Sequence, residues 1–267
     1  MSSRHVLSIG CREVADDLAL ALELADVADE LALGRFRAED LVVEAKPDLT
    51  PVSDADTAVE RMLRERLSTA RPGDSVVGEE YGASMAPDRS RRWIVDPIDG
   101  TKNYVRGIPI WATLLALQEG EEITLGVVSA PALHRRWWAT RGAGSHANGN
   151  PIRVSRVSEL SDAQLAWSGI EDWDEVGRMA DLLALGRSCR RTRGVGDFWQ
   201  YMLVAEGTAE VALDPVISVW DVAAIQVIIE EAGGRFSDLA GVRRHDGGDA
   251  IATNGLLHEA ALAIVGR

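Results

Sequence analysis

Trp93-Ile94-Val95-Asp96-Pro97-Ile98-Asp99-Gly100-Thr101-Lys102-Asn103 joins an apolar run to two carboxylates on a tight turn. Trp93, Ile94 and Val95 have the composition of a buried strand, and that strand delivers Asp96 at its end. Pro97 fixes one backbone dihedral, and Gly100 permits the turn that follows. Two carboxylates three residues apart on a rigid turn cannot both sit buried, ionised and unpaired, because bare charge is too costly to desolvate. A hard divalent cation held by carboxylate and backbone oxygens resolves that conflict. The amides of Gly100 and Thr101 stand just past the turn, where they can face an anion. The stretch therefore predicts a metal site beside a phosphate-sized anion site.

The rest of the chain bounds what such a site can serve. Its 267 residues suffice for one large domain or two tightly packed halves, and 46% hydrophobic residues support a full core. A net charge of −14 argues against a nucleic-acid partner, whose phosphates would be repelled. The same charge suits carboxylates gathered around metal ions or a cationic substrate, and it equally suits plain solubility. Cys11 and Cys189 are the only cysteines, which excludes a zinc cluster or a disulfide framework and makes a reducing cytosol the expectation. No signal peptide is visible, and no run approaches the roughly 20 apolar residues of a membrane span. A soluble, cytoplasmic protein without a membrane partner is expected.

Helical spacing of Leu18, Leu22, Val27 and Leu31 predicts a long amphipathic helix over 14–33. A short strand is expected at 41–43, and Ser53 or Asp54 is the candidate N-cap of a helix over 55–68. Val76-Val77 read as a strand delivering Gly78-Glu79-Glu80. Runs 111–118 and 123–129, joined by Glu119-Gly120-Glu121-Glu122, predict an antiparallel hairpin, and 135–140 adds a further strand. The polar segment 148–161 marks a boundary between an N-terminal α+β half, 1–150, and a C-terminal α/β half, 151–267. In the second half, strands are expected at 163–167, 211–213 and 251–253. Helices are expected at 174–185, 197–206, 218–231 and from Leu256, with Gly233-Gly234 stopping the third.

Five carboxylates stand at element ends: Asp48, Glu79, Asp96, Asp99 and Asp221. Each has a structural alternative, as turn residue, surface charge or helix cap, and Asp96 with Asp99 is the hardest pair to explain that way. Asp54-Ala55-Asp56-Thr57 spells the Asp-x-Asp-x-Thr signature of haloacid-dehalogenase-type phosphatases. It lacks the buried strand that should precede it, so it is set aside. The five histidines are scattered and form no catalytic pattern, and Gly194 and Gly196 do not follow a strand in dinucleotide-binding spacing.

Gly78-Glu79-Glu80, Asp96-Pro97-Ile98-Asp99-Gly100-Thr101 and Trp220-Asp221-Val222-Ala223-Ala224, in that order, resemble the signature of the inositol monophosphatase family. The likeness runs from Lys46-Pro47-Asp48 to Glu231-Ala232-Gly233-Gly234. Within the family, 46–52, 99–107, 129–138 and Gly196-Asp197-Phe198 are most similar to the histidinol-phosphate phosphatase branch of actinobacteria. Many relatives carry an acid where this chain has Arg135-Arg136, which weakens inositol phosphates as substrates.

The resemblance implies a layered α/β/α/β/α sandwich of the α/β (α+β) class, as in inositol monophosphatase and fructose-1,6-bisphosphatase. It also implies Mg²⁺-dependent hydrolysis of a small phosphate ester, with two or three Mg²⁺ ions. Glu79, Asp96 and the carbonyl of Ile98 would hold one ion; Asp96, Asp99 and Asp221 a second. Glu79 and Thr101 would orient the attacking water, with Asp48 supporting Thr101. Gly100, Thr101, Arg193, Gly196, Asp197 and Asp214 would line the substrate, although Asp197 can instead cap its own helix. A homodimer is usual in the family. Histidinol phosphate is the implied substrate, since acids here suit its ammonium and imidazole. The alternatives are an inositol-1-phosphate or broad sugar-phosphate phosphatase, and a regulatory binding protein on the same fold.

Overall fold

The leucines and acids at helical spacing become α1 (Ser3–Arg35), which extends the expected helix at both ends. The computed structural model describes residues 3–47, 49–84 and 90–266. A two-stranded ribbon follows, β1 (Val43–Ala45) and β2 (Pro51–Ser53), two residues later than the strand expected at 41–43. Then come α2 (Asp54–Ala70), β3 (Ser75–Gly78), β4 (Gly82–Ser84), β5 (Arg91–Asp99) and the short α3 (Thr101–Val105). The predicted hairpin is β6 (Ala112–Glu119) and β7 (Glu122–Ala130), extended by β8 (Arg135–Thr140), β9 (Gly144–Ala147) and β10 (Asn150–Pro151). Strands β3 to β10 form one sheet in the order β10-β9-β8-β7-β6-β5-β3-β4, antiparallel except where β3 runs parallel to β5.

The second sheet begins with β11 (Gln164–Trp167). Where one helix was expected over 174–185 there are two, α4 (Ile170–Glu175) and α5 (Met179–Ser188). Gly177 separates them at φ +71, a conformation that ends a helix and that a side chain disfavours. After these lie β12 (Arg191–Gly194), α6 (Asp197–Ala205), β13 (Val211–Asp214), α7 (Val219–Glu231), β14 (Arg235–Ser237), β15 (Ala250–Thr253) and α8 (His258–Val265). The sheet order is β12-β11-β13-β15-β14, with β11 parallel to β12 and β13 and the other pairs antiparallel.

Strand alternation sorts the core into layers. On β5 and β6, Trp93, Val95, Leu115 and Leu117 face Leu24, Ala28, Val59 and Leu63 of α1 and α2. Their neighbours Ile94, Leu114 and Ala116 face Phe198, Met202, Ile225 and Ile228 of α6 and α7. The second sheet repeats the pattern: Ala212 and Ala252 turn toward α6 and α7, whereas Leu213 and Ile251 turn outward to Leu182 and Leu185 of α5 and Ala261 of α8. The order is helices, sheet, helices, sheet, helices, the five layers that the family resemblance implies. Helix α7 lies in the middle, so Val222 to Ile229 are all buried and no polar stripe is left on it.

Candidate active site

Strand β5 is irregular where it matters. Asp96 pairs with Leu114 and Asp99 with Ala112, so three steps on β5 match two on β6. Residues three apart on a regular strand point to opposite faces; the extra residue of this bulge cancels that alternation. The carboxylates of Asp96 and Asp99 therefore meet, and Asp221, from the first turn of α7, joins them. Oxygens of the three lie within 4.8 Å of one another. Asp99 Oδ2 accepts from Phe198 N at 2.6 Å, and Asp221 Oδ2 accepts from Ser218 N at 2.7 Å. Asp96, 1% exposed, leaves a buried Oδ1 with no partner among the described residues.

Electrostatics says the same. Burial, then the charges of Glu79, Asp99, Asp221 and Asp56, hold Asp96 far above the usual carboxylate range. Burial, then Asp197 and Asp221, do so for Asp99. Asp221 is pushed up to about 7 by burial despite its bond from the Ser218 amide. Three desolvated, mutually repelling carboxylates with an orphaned oxygen fit a hard divalent cation, and the donor set contains neither sulfur nor imidazole.

Glu79 reaches the same pocket from the turn after β3. Lys46 Nζ lies 2.7 Å from Glu79 Oε1 and 2.7 Å from Glu80 Oε1. Burial lowers the Lys46 pKa, but the two hydrogen bonds outweigh it and raise the group overall. Beneath the turn, the fully buried Glu60 accepts from the amides of Glu80 (2.7 Å) and Tyr81 (3.2 Å). Gly78 makes room for that carboxylate: a Cβ there would stand 2.2 Å from Glu60 Oε1.

Thr101 opens α3, with Gly100 before it at φ 82. Its hydroxyl lies 3.1 Å from Asp56 Oδ1 and 3.0 Å from the Ile98 carbonyl, and it has one proton to offer the two. Asp48, expected to support Thr101, lies outside the described residues. The carboxylate on Thr101 is Asp56, which the sequence reading had set aside within a phosphatase decoy. Asp56 is fully buried, and burial raises its pKa. Its Oδ2 accepts from Ser53 N at 2.8 Å, so it also caps α2. The missed signal was Ser53-x-x-Asp56 opening a helix, with Asp56 and Glu60 four apart beside the apolar stripe Ala55, Val59, Leu63.

Two joined cavities complete the site. One of about 510 Å³ is walled by Glu79, Asp96, Ile98, Asp99, Gly100, Thr101 and Asp221. A second of about 630 Å³ shares Lys102 and Asp197 with it and includes Gly196. Asp197 does not cap α6. It is the first helical residue, at φ 50, and its Oδ2 accepts from Asn103 Nδ2 at 2.7 Å. Burial, then Asp214, raise Asp197 to about 6. Asp214 is 6% exposed, takes hydrogen bonds from Tyr201 Oη (2.6 Å) and Gln200 Nε2, and lines neither cavity. Arg193 is not brought to the site: its exposed side chain donates to the Thr192 carbonyl.

Comparison with known proteins matches residues 13–266 to the model of the inositol monophosphatase family. The histidinol-phosphatase of Mycobacterium tuberculosis is 52% identical over 252 residues, covering 92% of this chain and 96% of that one. The histidinol-phosphatase of Streptomyces coelicolor is also 52% identical, over 256 residues with the same coverage. Among solved structures, the extragenic suppressor protein SuhB of Bartonella henselae superposes with a TM-score of 0.88 at 26% identity, over 94% of this chain and 98% of that one.

Proposed function

The chain belongs to the inositol monophosphatase family, and from that premise we propose that it hydrolyses L-histidinol phosphate to L-histidinol and phosphate in histidine biosynthesis, with Mg²⁺ as cofactor. What carries this reading is the 52% identity, over nine-tenths of the chain, to two proteins named histidinol-phosphatase. The buried carboxylate cluster supports the chemistry.

In this reading Glu79, Asp96 and the Ile98 carbonyl would hold one ion, and Asp96, Asp99 and Asp221 a second, with a third allowed. Bound Mg²⁺ would supply Lewis-acid chemistry, making a water acidic and screening the phosphate charge. Thr101 would orient the attacking water through its hydroxyl oxygen while its own O–H donates to Asp56 Oδ1, in the place first given to Asp48. Glu79 would accept the other hydrogen of that water. The amides of Gly100 and Thr101 face the phosphate, and Gly196 and Asp197 face the leaving alcohol. No side-chain nucleophile is required, so no phosphoenzyme forms. The reading also includes a cytoplasmic homodimer; no described helix is long and apolar enough to cross a membrane.

Phosphate release with Mg²⁺ tests this, comparing L-histidinol phosphate with inositol 1-phosphate at matched concentrations. A preference of about a hundredfold, roughly 2.7 kcal/mol in the transition state, is expected. A flat profile would replace it with a broad phosphatase, and no turnover of either would return the chain to the binding-protein reading.

A further inference from the structure

The larger cavity opens off the metal pocket at Asp197 and Lys102, so a phosphate ester seated on the carboxylate cluster extends its alcohol into it. Its walls bring three carboxylates, Glu171, Asp172 and Asp197, against one ammonium, that of Lys102. Asp197 is already engaged by Asn103. The two acids of α4 differ from each other. Glu171 folds back over its own turn, with Oε2 2.5 Å from where a Cβ on Gly169 would stand, whereas Asp172 Oδ2 stands 4.0 Å from that point. Asp172 and Asp197 line the one cavity, and Asp172 is near enough for its charge to act on both Asp197 and Asp214. Trp167 closes one side, its indole edge 3.4 Å from the Cβ position of Gly194.

Such a space rejects a neutral polyol, which would strip water from carboxylates without replacing their counter-charge. A cation instead relieves their mutual repulsion and can lie against an indole ring. We infer that Asp172 is a specificity-determining residue: on the wall of the cavity it shares with Asp197 and Trp167, it receives the cationic end of the leaving alcohol, an ammonium or a protonated imidazole. The inference rests on the proposed function for the site's reaction, but it extends to any small amino-alcohol phosphate of the same reach. The competing role for Asp172, favourable charge at the start of a short helix, is substrate-independent and would be shared by Glu171.

Asp172→Asn and Glu171→Gln are compared with the wild type on three esters: L-histidinol phosphate, phosphoethanolamine and glycerol 2-phosphate. Asp172→Asn should raise KM for both cationic esters about tenfold or more, the scale of one charged hydrogen bond, with kcat little changed. Glycerol 2-phosphate should shift by less than about twofold, and Glu171→Gln should leave all three near wild type. Equal changes on all three esters, an equal effect of Glu171→Gln, or a wild type with no preference for cationic esters would overturn the inference. If histidinol phosphate is inert but the phosphoethanolamine preference exists and vanishes in Asp172→Asn, the proposed substrate falls and the inference stands. If histidinol phosphate is preferred and Asp172→Asn keeps that preference, the inference alone falls.

Discussion

Helices α2 and α7 begin with the same four-residue device. Ser53-Asp54-Ala55-Asp56 and Ser218-Val219-Trp220-Asp221 each turn one aspartate oxygen back to the serine amide, at 2.8 Å and 2.7 Å. The two aspartates then differ in their surroundings. Asp221 stands with Asp96 and Asp99, an oxygen of each within 4.8 Å of the others; at Asp56 the other oxygen, Oδ1, meets the Thr101 hydroxyl. In the proposed reading the same local structure thus serves two chemistries, cation binding in one place and proton acceptance in the other. The backbone assigns the cap, and the neighbours across the pocket assign the function.

Breaking the device at one helix should not resemble breaking it at the other. Asparagine keeps an oxygen for the serine amide and removes only the charge. Asp221→Asn should lower kcat/KM by a factor of about a thousand or more through lost metal affinity. In chelator its melting temperature should equal or exceed the wild type's, because the substitution removes a repelling charge. Near-normal turnover would dismiss Asp221 as a ligand. Asp56→Asn should cost about a hundredfold in kcat, the usual weight of a proton-handling group, with KM and the Mg²⁺ dependence close to wild type. If the Mg²⁺ requirement of Asp56→Asn rose as steeply as that of Asp221→Asn, the two starts would be doing one job.

Smaller effects test the shared cap, and they must be read at fixed pH because His258 sets its own slope. That ring is buried between Ser237 Oγ (3.0 Å) and Thr253 Oγ1 (3.1 Å), and burial, then Arg235, pull its pKa down to about 4. The unfolded chain takes up the proton near pH 6.5 and the folded one does not, so stability holds above that value and declines as pH falls toward 4. Denaturant midpoints between pH 7 and 4 should show a loss of about 1–3 kcal/mol from this residue, flattened in His258→Gln; an unchanged slope would exclude it. Last, Ser53→Ala and Ser218→Ala at pH 7.5 should each cost about 1 kcal/mol or less, since the aspartate bond to the serine amide survives. Unequal losses there would mean that the two caps are not equivalent after all.

The meeting of Asp96 and Asp99 was legible because its chemistry leaves few options. A buried strand ending in Asp96, a proline, a second aspartate and a glycine can hardly be reconciled without a cation. Asp221 read by itself as a helix cap or first-turn acid, and only the family resemblance pointed it at Asp96 and Asp99. Strand lengths, hairpin turns and helix caps gave most of the elements, but their stacking in five layers came from the family resemblance. Asp56 was lost because its signal is shared by every capped helix, and only the bulge on β5, which swings Thr101 under α2, gives it a second duty. The bulge itself is a register difference between β5 and β6, invisible in either strand alone. Asp172 was hidden by a single helix drawn over 174–185; the observed α4 starts at Ile170, and Asp172 in it lines a cavity wall. Arg193 was misplaced because an edge strand points alternate residues away from the site, and nothing in a four-residue stretch says which.

Helix α7 also has a consequence for the order of events during synthesis. The ribosome releases Asp96 and Asp99 long before Asp221, and the helix carrying Asp221 is the one that covers Ile94, Leu114 and Val128. A nascent chain stopped before α7 would hold a bare apolar sheet face and two clashing carboxylates with no third partner. Closing the core and completing the cluster are the same step, so under the proposed function the growing polypeptide would stay catalytically silent until that helix docks.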